Sequence, residues 1–238
     1  MMVKRVLLLL VCILPGCSGF QSAAPPTPVE VRPSAPAAVL SDTLTAGEFY
    51  PAACPFALPE DVVQGVEVEC GYLAVYEDQT GTRTPGSRII RLAIAIFHPP
   101  DGASNTDPVL YLSGGPGASV LKKFAHQYEI MSAPVFESGR DLIIFDQRGI
   151  GVSRPALNCW EFNELLLEVM DRELDEQEIN DEQAAEMALE RLQACRDRLA
   201  MEADLSAYNS VNSAADVENI RTALGYDQIN LWGGSYGT

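Results

Sequence analysis

The apolar positions of this chain fall into short runs separated by glycine-rich or polar turns, and their spacing predicts secondary structure. Residues 66–76 and 88–97 read as two strands flanking the turn residues 79–81, which predicts a β-hairpin. Shorter buried strands are predicted at 108–112, 141–145 and 229–232. Strands that alternate with helical segments are typical of an α/β fold with a parallel sheet.

Helical spacing of apolar residues fills the intervals between these strands. A crossover helix is predicted at 119–130, and a second helix at 213–224, with Asn212 or Ser213 capping its first turn. Residues 156–203 also have a helical pattern, with two apolar stripes that we expect to pack in a core. The stripes consist of Phe162, Leu165, Leu166 and Val169, and of Ala184, Met187, Ala188, Leu192 and Leu199.

Each of the three short strands leads into a glycine-rich loop. The loops read SGGPG at 113–117, DQRGIGVS at 146–153 and GGSYG at 233–237. Because the carboxyl ends of parallel strands meet at one edge of a sheet, we expect the three loops to lie together, where open α/β sheets form their sites.

The N-terminus has the pattern of a bacterial export signal. A basic pair precedes an apolar run at 6–14, which is too short to span a bilayer, and Leu14-Pro15-Gly16-Cys17 resembles a lipobox. Residues 1–17 are therefore predicted to be a lipoprotein-type signal peptide, and lipid on Cys17 is expected to anchor the exported protein to a membrane of the cell envelope. Cleavage after residues 22–24, which would release a soluble secreted protein, is the alternative.

Composition narrows the classes of partner. Proline and alanine are frequent in residues 18–50, which predicts an extended linker. The chain has 238 residues, 47% of them hydrophobic, so it can bury the core of one ordinary domain. Its net charge of −17 argues against nucleic acid as a partner, because phosphate binding needs clustered lysine and arginine. The acidic residues concentrated in 161–204 are expected to form a solvated face.

Cysteine use agrees with export. If Cys12 leaves with the signal and Cys17 takes lipid, an even number remains for two disulfides in an oxidising compartment. The remaining cysteines are Cys54, Cys70, Cys159 and Cys195. Three connectivities are possible, and we predict that neighbours in sequence pair. A zinc site is not predicted, because the chain has no CxxC pair and both histidines are far in sequence from any cysteine.

The third loop contains a Gly-x-Ser-x-Gly pattern directly after a predicted strand, which is typical of a nucleophile elbow with Ser235 at its tip. A nucleophilic serine also needs backbone donors for the oxyanion. We expect these to be the amides of Tyr236 and Gly115, with Gly114 as the second choice for the latter. His98 and His126 both precede the serine, whereas the order in hydrolases of this type is serine, acid, histidine, so neither is expected to be the base.

Taken in order, the three loops resemble those of the α/β-hydrolase family of proline iminopeptidases and the related secreted tripeptidyl aminopeptidases. Ser113 stands where the iminopeptidases commonly have histidine, which points to the secreted branch. The resemblance implies that residues 51–238 are the N-terminal part of an α/β-hydrolase domain, truncated after the nucleophile elbow. The family's acid, base and substrate-selecting cap would then lie beyond Thr238.

The activity implied by this resemblance is amide hydrolysis through an acyl-enzyme on Ser235. The substrate would be a peptide with a free N-terminus, cut by a prolyl or tripeptidyl aminopeptidase that needs no cofactor or metal. The 238-residue chain by itself is expected to be inactive. Two alternatives stay open: a carboxylic ester hydrolase of the same fold, and a non-catalytic lipoprotein scaffold in the envelope.

Overall fold

A computed structural model describes residues 44–84, 86–174 and 180–238. Three sequence predictions lie outside these residues: the signal peptide, the lipidation of Cys17, and the linker up to residue 43. Among the described residues, none of the helices combines the length and apolar composition that a bilayer crossing requires.

The described strands form one mixed sheet. They are β1 (Phe49–Pro51), β2 (Val68–Tyr76), β3 (Ile89–Phe97), β4 (Val109–Leu112), β5 (Leu142–Phe145) and β6 (Asn230–Gly233). Their order across the sheet is β1-β2-β3-β5-β4-β6. β4 runs parallel to both β5 and β6, whereas β1, β2, β3 and β5 are joined by antiparallel pairing. The predicted α/β fold and the parallel arrangement of the three short strands are thus confirmed.

Helices cover both faces of the sheet. They are α1 (Tyr128–Glu137), α2 (Trp160–Leu174), α3 (Asp181–Glu202) and α4 (Ser210–Ala223). Met131 and Val135 of α1 join the apolar cluster on one face, and Ile220 of α4 joins the cluster on the other. β3 is buried on both faces, because its sequence IIRLAIAIF is an almost unbroken apolar run.

The ordered sheet begins before residue 51. Phe49 and Tyr50, the last residues of the segment predicted as linker, lie in β1. β1 can approach β2 closely because Gly71 has no side chain: a Cβ atom there would collide with the Tyr50 carbonyl oxygen and the Phe49 ring. The sequence did not predict β1, because the strand is only three residues long and adjoins a segment whose proline and alanine content predicts a linker.

The predicted crossover helix at 119–130 is wrong in position. A 3-10 turn at Phe124–His126 precedes α1, which continues past Pro134 to Glu137. Ser119 lies in the loop before this turn, where its hydroxyl donates to the Asp146 carboxylate at 2.7 Å and accepts from the Lys122 amide at 3.3 Å. Pro134 is tolerated because the helix carbonyl that it leaves without a donor belongs to Ile130, which is exposed to water.

Two further predictions need correction. Asn209, not Asn212 or Ser213, caps α4, because the Asn212 side chain is buried and bonds the Gln79 amide and the Ala207 carbonyl.

The apolar stripe of α2 is only partly buried: Leu165 is enclosed, but Phe162 and Leu166 are exposed. In α3 the prediction holds for Leu199, while Leu192 is exposed.

Both disulfides form between neighbours in sequence. Cys54 is bonded to Cys70, which ties the segment after β1 to β2. Cys159 is bonded to Cys195, which joins the start of α2 to α3. This is the connectivity that the sequence favoured.

Candidate active site

Ser235 occupies a sharp turn directly after β6. Its φ of 56° is the only positive φ of a residue other than glycine in the described part of the chain. This left-handed conformation costs an L-residue about 1–2 kcal/mol, so the surrounding structure must hold it in place. A 3-10 turn, Ser235–Gly237, follows at once.

The flanking glycines are required by close contacts between backbone segments. A Cβ atom on Gly237 would overlap the carbonyl oxygen of Leu112, and one on Gly233 would overlap that of Gly237. By contrast, the nearest atom to a Cβ on Gly234 would be the Tyr111 hydroxyl oxygen, at 3.5 Å. Two of the three glycines therefore allow the turn to fold back against the end of β4.

The glycine loop after β4 lies against Ser235. A Cβ atom built on Gly114 would stand 2.8 Å from Ser235 Cβ and 3.4 Å from its Oγ, so the hydroxyl lies beside the Gly114 backbone. The amides of Gly114, Gly115 and Tyr236 donate to no acceptor within the described residues. The structure thus places Ser235 beside the glycine loop that contains Gly114 and Gly115, and the amides predicted as oxyanion donors have no acceptor within the described residues.

The loop after β5 is held in shape by Asp146, which is almost fully buried. Its carboxylate accepts hydrogen bonds from the Ser119 hydroxyl at 2.7 Å, the Val152 amide at 2.9 Å and the Leu121 amide at 3.2 Å. The next residue, Gln147, donates from its side-chain amide to the Ser113 carbonyl at 3.2 Å. This contact links the DQRG loop to the glycine loop beside Ser235.

Arg148 of the same loop enters a buried polar network. Its guanidinium forms two hydrogen bonds with the Asp216 carboxylate on α4 and also donates to the carbonyls of Glu77 and Ala207. The Glu77 carboxylate accepts from the Tyr208 hydroxyl at 2.9 Å. Burial raises the pKa of the Tyr208 hydroxyl, and the Glu77 charge adds to the effect.

A cavity of about 480 Å³ opens beside the turn. It lies between the end of the sheet and α4. The lining residues are Leu112, Phe145, Gln147, Ser210, Ser213, Ala214, Val217, Ser235, Tyr236, Gly237 and Thr238. Most of the wall is apolar, and the Tyr236 and Ser210 hydroxyls bond each other at 2.8 Å. A substrate group here would contact an apolar wall with a few polar anchors.

Neither histidine is close to this arrangement in the fold. His98 Nδ1 lies 2.9 Å from Asp141 Oδ1, but Asp141 precedes β5, at the sheet edge opposite Ser235. The hydrogen bond to Asp141 raises the pKa of His98. Burial and the Asp141 charge raise the pKa of Tyr226, on the other side of this carboxylate, to about 12. His126 lines a different cavity, beside Glu60 and Glu129.

Sequence reasoning missed the buried network that supports the site. Glu77, Arg148 and Asp216 are each nearly inaccessible to water, although charged residues are seldom buried unless paired. One signal was present in the sequence: Asn212 and Asp216 recur four residues apart, on the face of α4 that also carries the buried Ile220.

Comparison with known proteins agrees with this geometry. Residues 107–238 match the family model described as alpha/beta hydrolase fold. The matched segment begins just before β4 and includes Ser235.

Three curated relatives are between 29% and 32% identical to this chain over the aligned residues. YuaR of Escherichia coli K12, a protein assigned to the hydrolases, is 32% identical over 176 residues, which cover 72% of this chain and 32% of YuaR. The tripeptidyl aminopeptidase of Streptomyces coelicolor is 29% identical over 174 residues, covering 72% of this chain and 31% of that protein. The serine protease Hip1 of Mycobacterium tuberculosis is 31% identical over 174 residues, covering 71% of this chain and 31% of Hip1. The chain therefore spans about a third of the length of the curated relatives it matches.

Proposed function

This chain belongs to the α/β-hydrolase fold family, and from that premise we propose that it carries the nucleophile and oxyanion site of an exported serine peptidase. The peptidase removes one or a few residues from the free N-terminus of a peptide. Support for the peptidase type comes from the relatives named as a tripeptidyl aminopeptidase and a serine protease.

The observation that carries the proposal is the relation between Ser235 and the glycine loop. The serine hydroxyl lies on a left-handed turn beside Gly114, and the nearby amides of Gly115 and Tyr236 have no acceptor among the described residues. Unpaired donors beside a serine hydroxyl stabilise the negative charge that develops on a carbonyl oxygen during acyl transfer. A purely structural turn has no need of free amides at this position.

The reaction proceeds in two steps. Ser235 Oγ gives its proton to a base and attacks the carbonyl carbon, while the oxyanion accepts hydrogen bonds from the two amides. The amine leaves with a proton, and an acyl-enzyme remains. Water then attacks the ester, which releases the acid and restores the hydroxyl. Because His98 and His126 lie elsewhere in the fold, we assign the base to a part of the protein outside residues 44–238.

The proposal is tested with pairs of peptide amides that differ only in whether the N-terminus is free or acetylated. The full-length protein is expected to cleave prolyl or tripeptidyl amides of a fluorogenic amine when the N-terminus is free, and to leave N-acetylated versions intact. Ser235→Ala is expected to abolish cleavage, whereas Ser104→Ala, an exposed serine at the opposite edge of the sheet, leaves it unchanged. Equal cleavage by the Ser235→Ala variant would reject the assignment.

An ester panel separates the two hydrolase alternatives. The same oxyanion donors serve esters and amides, so activated esters are expected to react as well. If the protein cleaves esters but none of the free or blocked peptide amides, it is a carboxylic ester hydrolase. If neither class reacts and a fluorophosphonate does not label Ser235, the non-catalytic scaffold alternative is favoured.

We also propose that the protein is anchored in the bacterial cell envelope through lipid on Cys17. The two disulfides support an oxidising compartment. Metabolic labelling with a radioactive fatty acid is expected to mark the protein and to fail for Cys17→Ala. Unlabelled protein released into the medium would favour the soluble secreted alternative.

A further inference from the structure

Arg91 of β3 and Arg154 of the loop after β5 lie directly opposite each other. Each donates its backbone amide to the carbonyl of the other at 2.8 Å, which makes them an isolated antiparallel pair. Residues paired in this way point their side chains to the same side, with Cβ atoms about 5 Å apart. Two guanidinium groups therefore start from neighbouring positions on one surface.

Like charges placed directly opposite each other destabilise a pair of strands. Nevertheless, neither arginine forms a salt bridge with a carboxylate of the described residues. Arg154 donates to the carbonyl of its own neighbour Ser153 at 3.0 Å, and the Arg91 guanidinium lies 5.8 Å from the centre of the Tyr72 ring. Both guanidinium groups therefore retain donors that no carboxylate of the described residues occupies.

The two arginines line a cavity of about 670 Å³ to which Arg88 and Lys122 also contribute. Arg88 is partly neutralised, because it lies 3.4 Å from the Glu77 carboxylate. The acidic residue in the lining is Glu202, whose backbone carbonyl accepts from Arg88. The cavity is thus a concave, positively charged surface on a protein whose net charge is −17. Such a surface attracts an anionic ligand.

The cavity lies at the same edge of the sheet as Ser235. Because β3 runs antiparallel to β5, the start of β3 and the loop after β5 are both at this edge. β3 and β6 are separated by three strand spacings, which at about 4.8 Å each gives a lateral distance of roughly 14 Å between the strand that carries Arg91 and the strand that leads to Ser235. An extended peptide covers that distance with about four residues.

We propose that this cavity is an anion subsite that binds a carboxylate of the peptide substrate, about four residues from the bond that is cleaved. The proposal rests on the proposed peptidase function. Arg91 and Arg154 are the specificity-determining residues, since a planar carboxylate fits the fork of donors on a guanidinium group. Lys122, which is exposed, adds a further positive charge to the lining.

Binding to the Ser235→Ala variant of the full-length protein tests the subsite without turnover. The probes are two fluorescent heptapeptides that differ only by glutamate or glutamine, with the variable residue placed at successive positions. At the best position and at low salt, the glutamate peptide is expected to bind about tenfold more tightly. The advantage is expected to decrease as salt is added and when inorganic phosphate is supplied as a competitor at constant ionic strength.

Variants that remove one positive charge test whether Arg91 and Arg154 cause the preference for the glutamate peptide. Arg91→Met and Arg154→Met, each in the Ser235→Ala background, are expected to reduce the glutamate preference to about twofold or less. Lys123→Met is the matched control, because Lys123 is exposed, adjacent to Lys122 and outside the cavity lining, and its preference is expected to stay tenfold. Melting temperatures of both arginine variants are expected to stay equal to that of the parent or rise, since a repulsion is removed.

Equal binding of the two peptides at every position would overturn the subsite, and so would a preference that survives both arginine substitutions. These outcomes are distinct from failure of the proposed function. If the active protein cleaves no peptide but the glutamate preference and its loss in the variants are observed, the anion site stands and the peptidase assignment falls. If neutral peptides are cleaved and no preference exists, only the subsite is rejected.

Discussion

Arg148 and Asp216 form a bidentate ion pair in which both side chains are only 1% exposed to solvent. The two contacts are Nε to Oδ2 at 2.8 Å and Nη2 to Oδ1 at 2.7 Å. Because Arg148 follows β5 and Asp216 lies on the helix before β6, the pair joins the two segments on either side of β4. The bond from Arg148 to the Glu77 carbonyl extends the connection to the β2–β3 hairpin, and the bond to the Ala207 carbonyl extends it to the turn before α4.

Loss of one partner of this pair is expected to be strongly destabilising. Arg148→Met leaves the Asp216 carboxylate buried without its cation, so the free energy of unfolding is expected to fall by about 3–5 kcal/mol. Urea unfolding monitored by circular dichroism measures this change. A loss below about 1 kcal/mol would show that water reaches the carboxylate.

Two controls accompany this experiment. Arg196→Met removes an exposed pair with Asp197, and its expected effect is within about 1 kcal/mol. The double variant Arg148→Met with Asp216→Leu removes both charges and is expected to recover part of the stability lost in the single variant.

The glycines of the elbow are expected to differ sharply in their tolerance of a side chain. Gly237→Ala places Cβ against the Leu112 carbonyl oxygen, and we expect a loss of about 1–3 kcal/mol together with loss of fluorophosphonate labelling at Ser235. Gly234→Ala is the matched control from the same turn. Its Cβ finds space, its φ of −131° suits alanine, and stability is expected to change by less than about 0.5 kcal/mol. Similar losses in both variants would contradict the packing of the turn against β4.

The His98–Asp141 hydrogen bond predicts a dependence of stability on pH. The bond raises the pKa of folded His98 above the value of about 6.5 expected in the unfolded chain. The protonated form is therefore favoured by folding, so its contribution is complete below pH about 6.5 and is lost as pH rises through the raised pKa. The difference in unfolding free energy between the wild type and His98→Asn is expected to shrink across that window.

Asp141→Asn provides the control for this titration. Without the carboxylate, NMR titration of the His98 ring is expected to show a lower pKa than in the wild type. An unchanged ring pKa would mean that another group sets it.

The disulfide between Cys159 and Cys195 is expected to stabilise the helical pair α2 and α3. It closes a loop with a sequence separation of 36, for which the chain-entropy model gives about 3–4 kcal/mol. Replacing both cysteines with serine is expected to lower the free energy of unfolding by about that amount. The bidentate bond between Arg198 and Glu161 still connects the two helices in the variant. If reduction of the wild-type protein left its free energy of unfolding unchanged, a structural role for the Cys159–Cys195 disulfide would be contradicted.

The sequence predicted those parts of the fold that depend on local patterns. The strands β2 to β6 begin and end within two residues of their predicted bounds, because each is an apolar run bordered by glycine, proline or polar residues. Gly-x-Ser-x-Gly likewise predicted the turn at Ser235, since the backbone geometry needs glycine at fixed positions.

Features that depend on contacts between distant segments were not predictable in this way. The cap of α4 moved to Asn209 because Asn212 is recruited by Gln79, which is 133 residues away in sequence. The opposition of Arg91 and Arg154 depends on the register between β3 and a loop, and no local pattern encodes it. The exposed apolar residues of α2 show that helical spacing identifies a face but does not show what covers it.

The reversed direction of β3 has a consequence for how the rim of the site can vary. The connection between the end of β2 at Tyr76 and the start of β3 at Ile89 comes early in the chain, yet both strand ends lie at the same side of the sheet as Ser235. Lengthening or recharging that connection would alter the approach to the serine without changing any residue of the elbow. The surface beside Ser235 is therefore set in part by a hairpin that ends more than a hundred residues earlier in the chain.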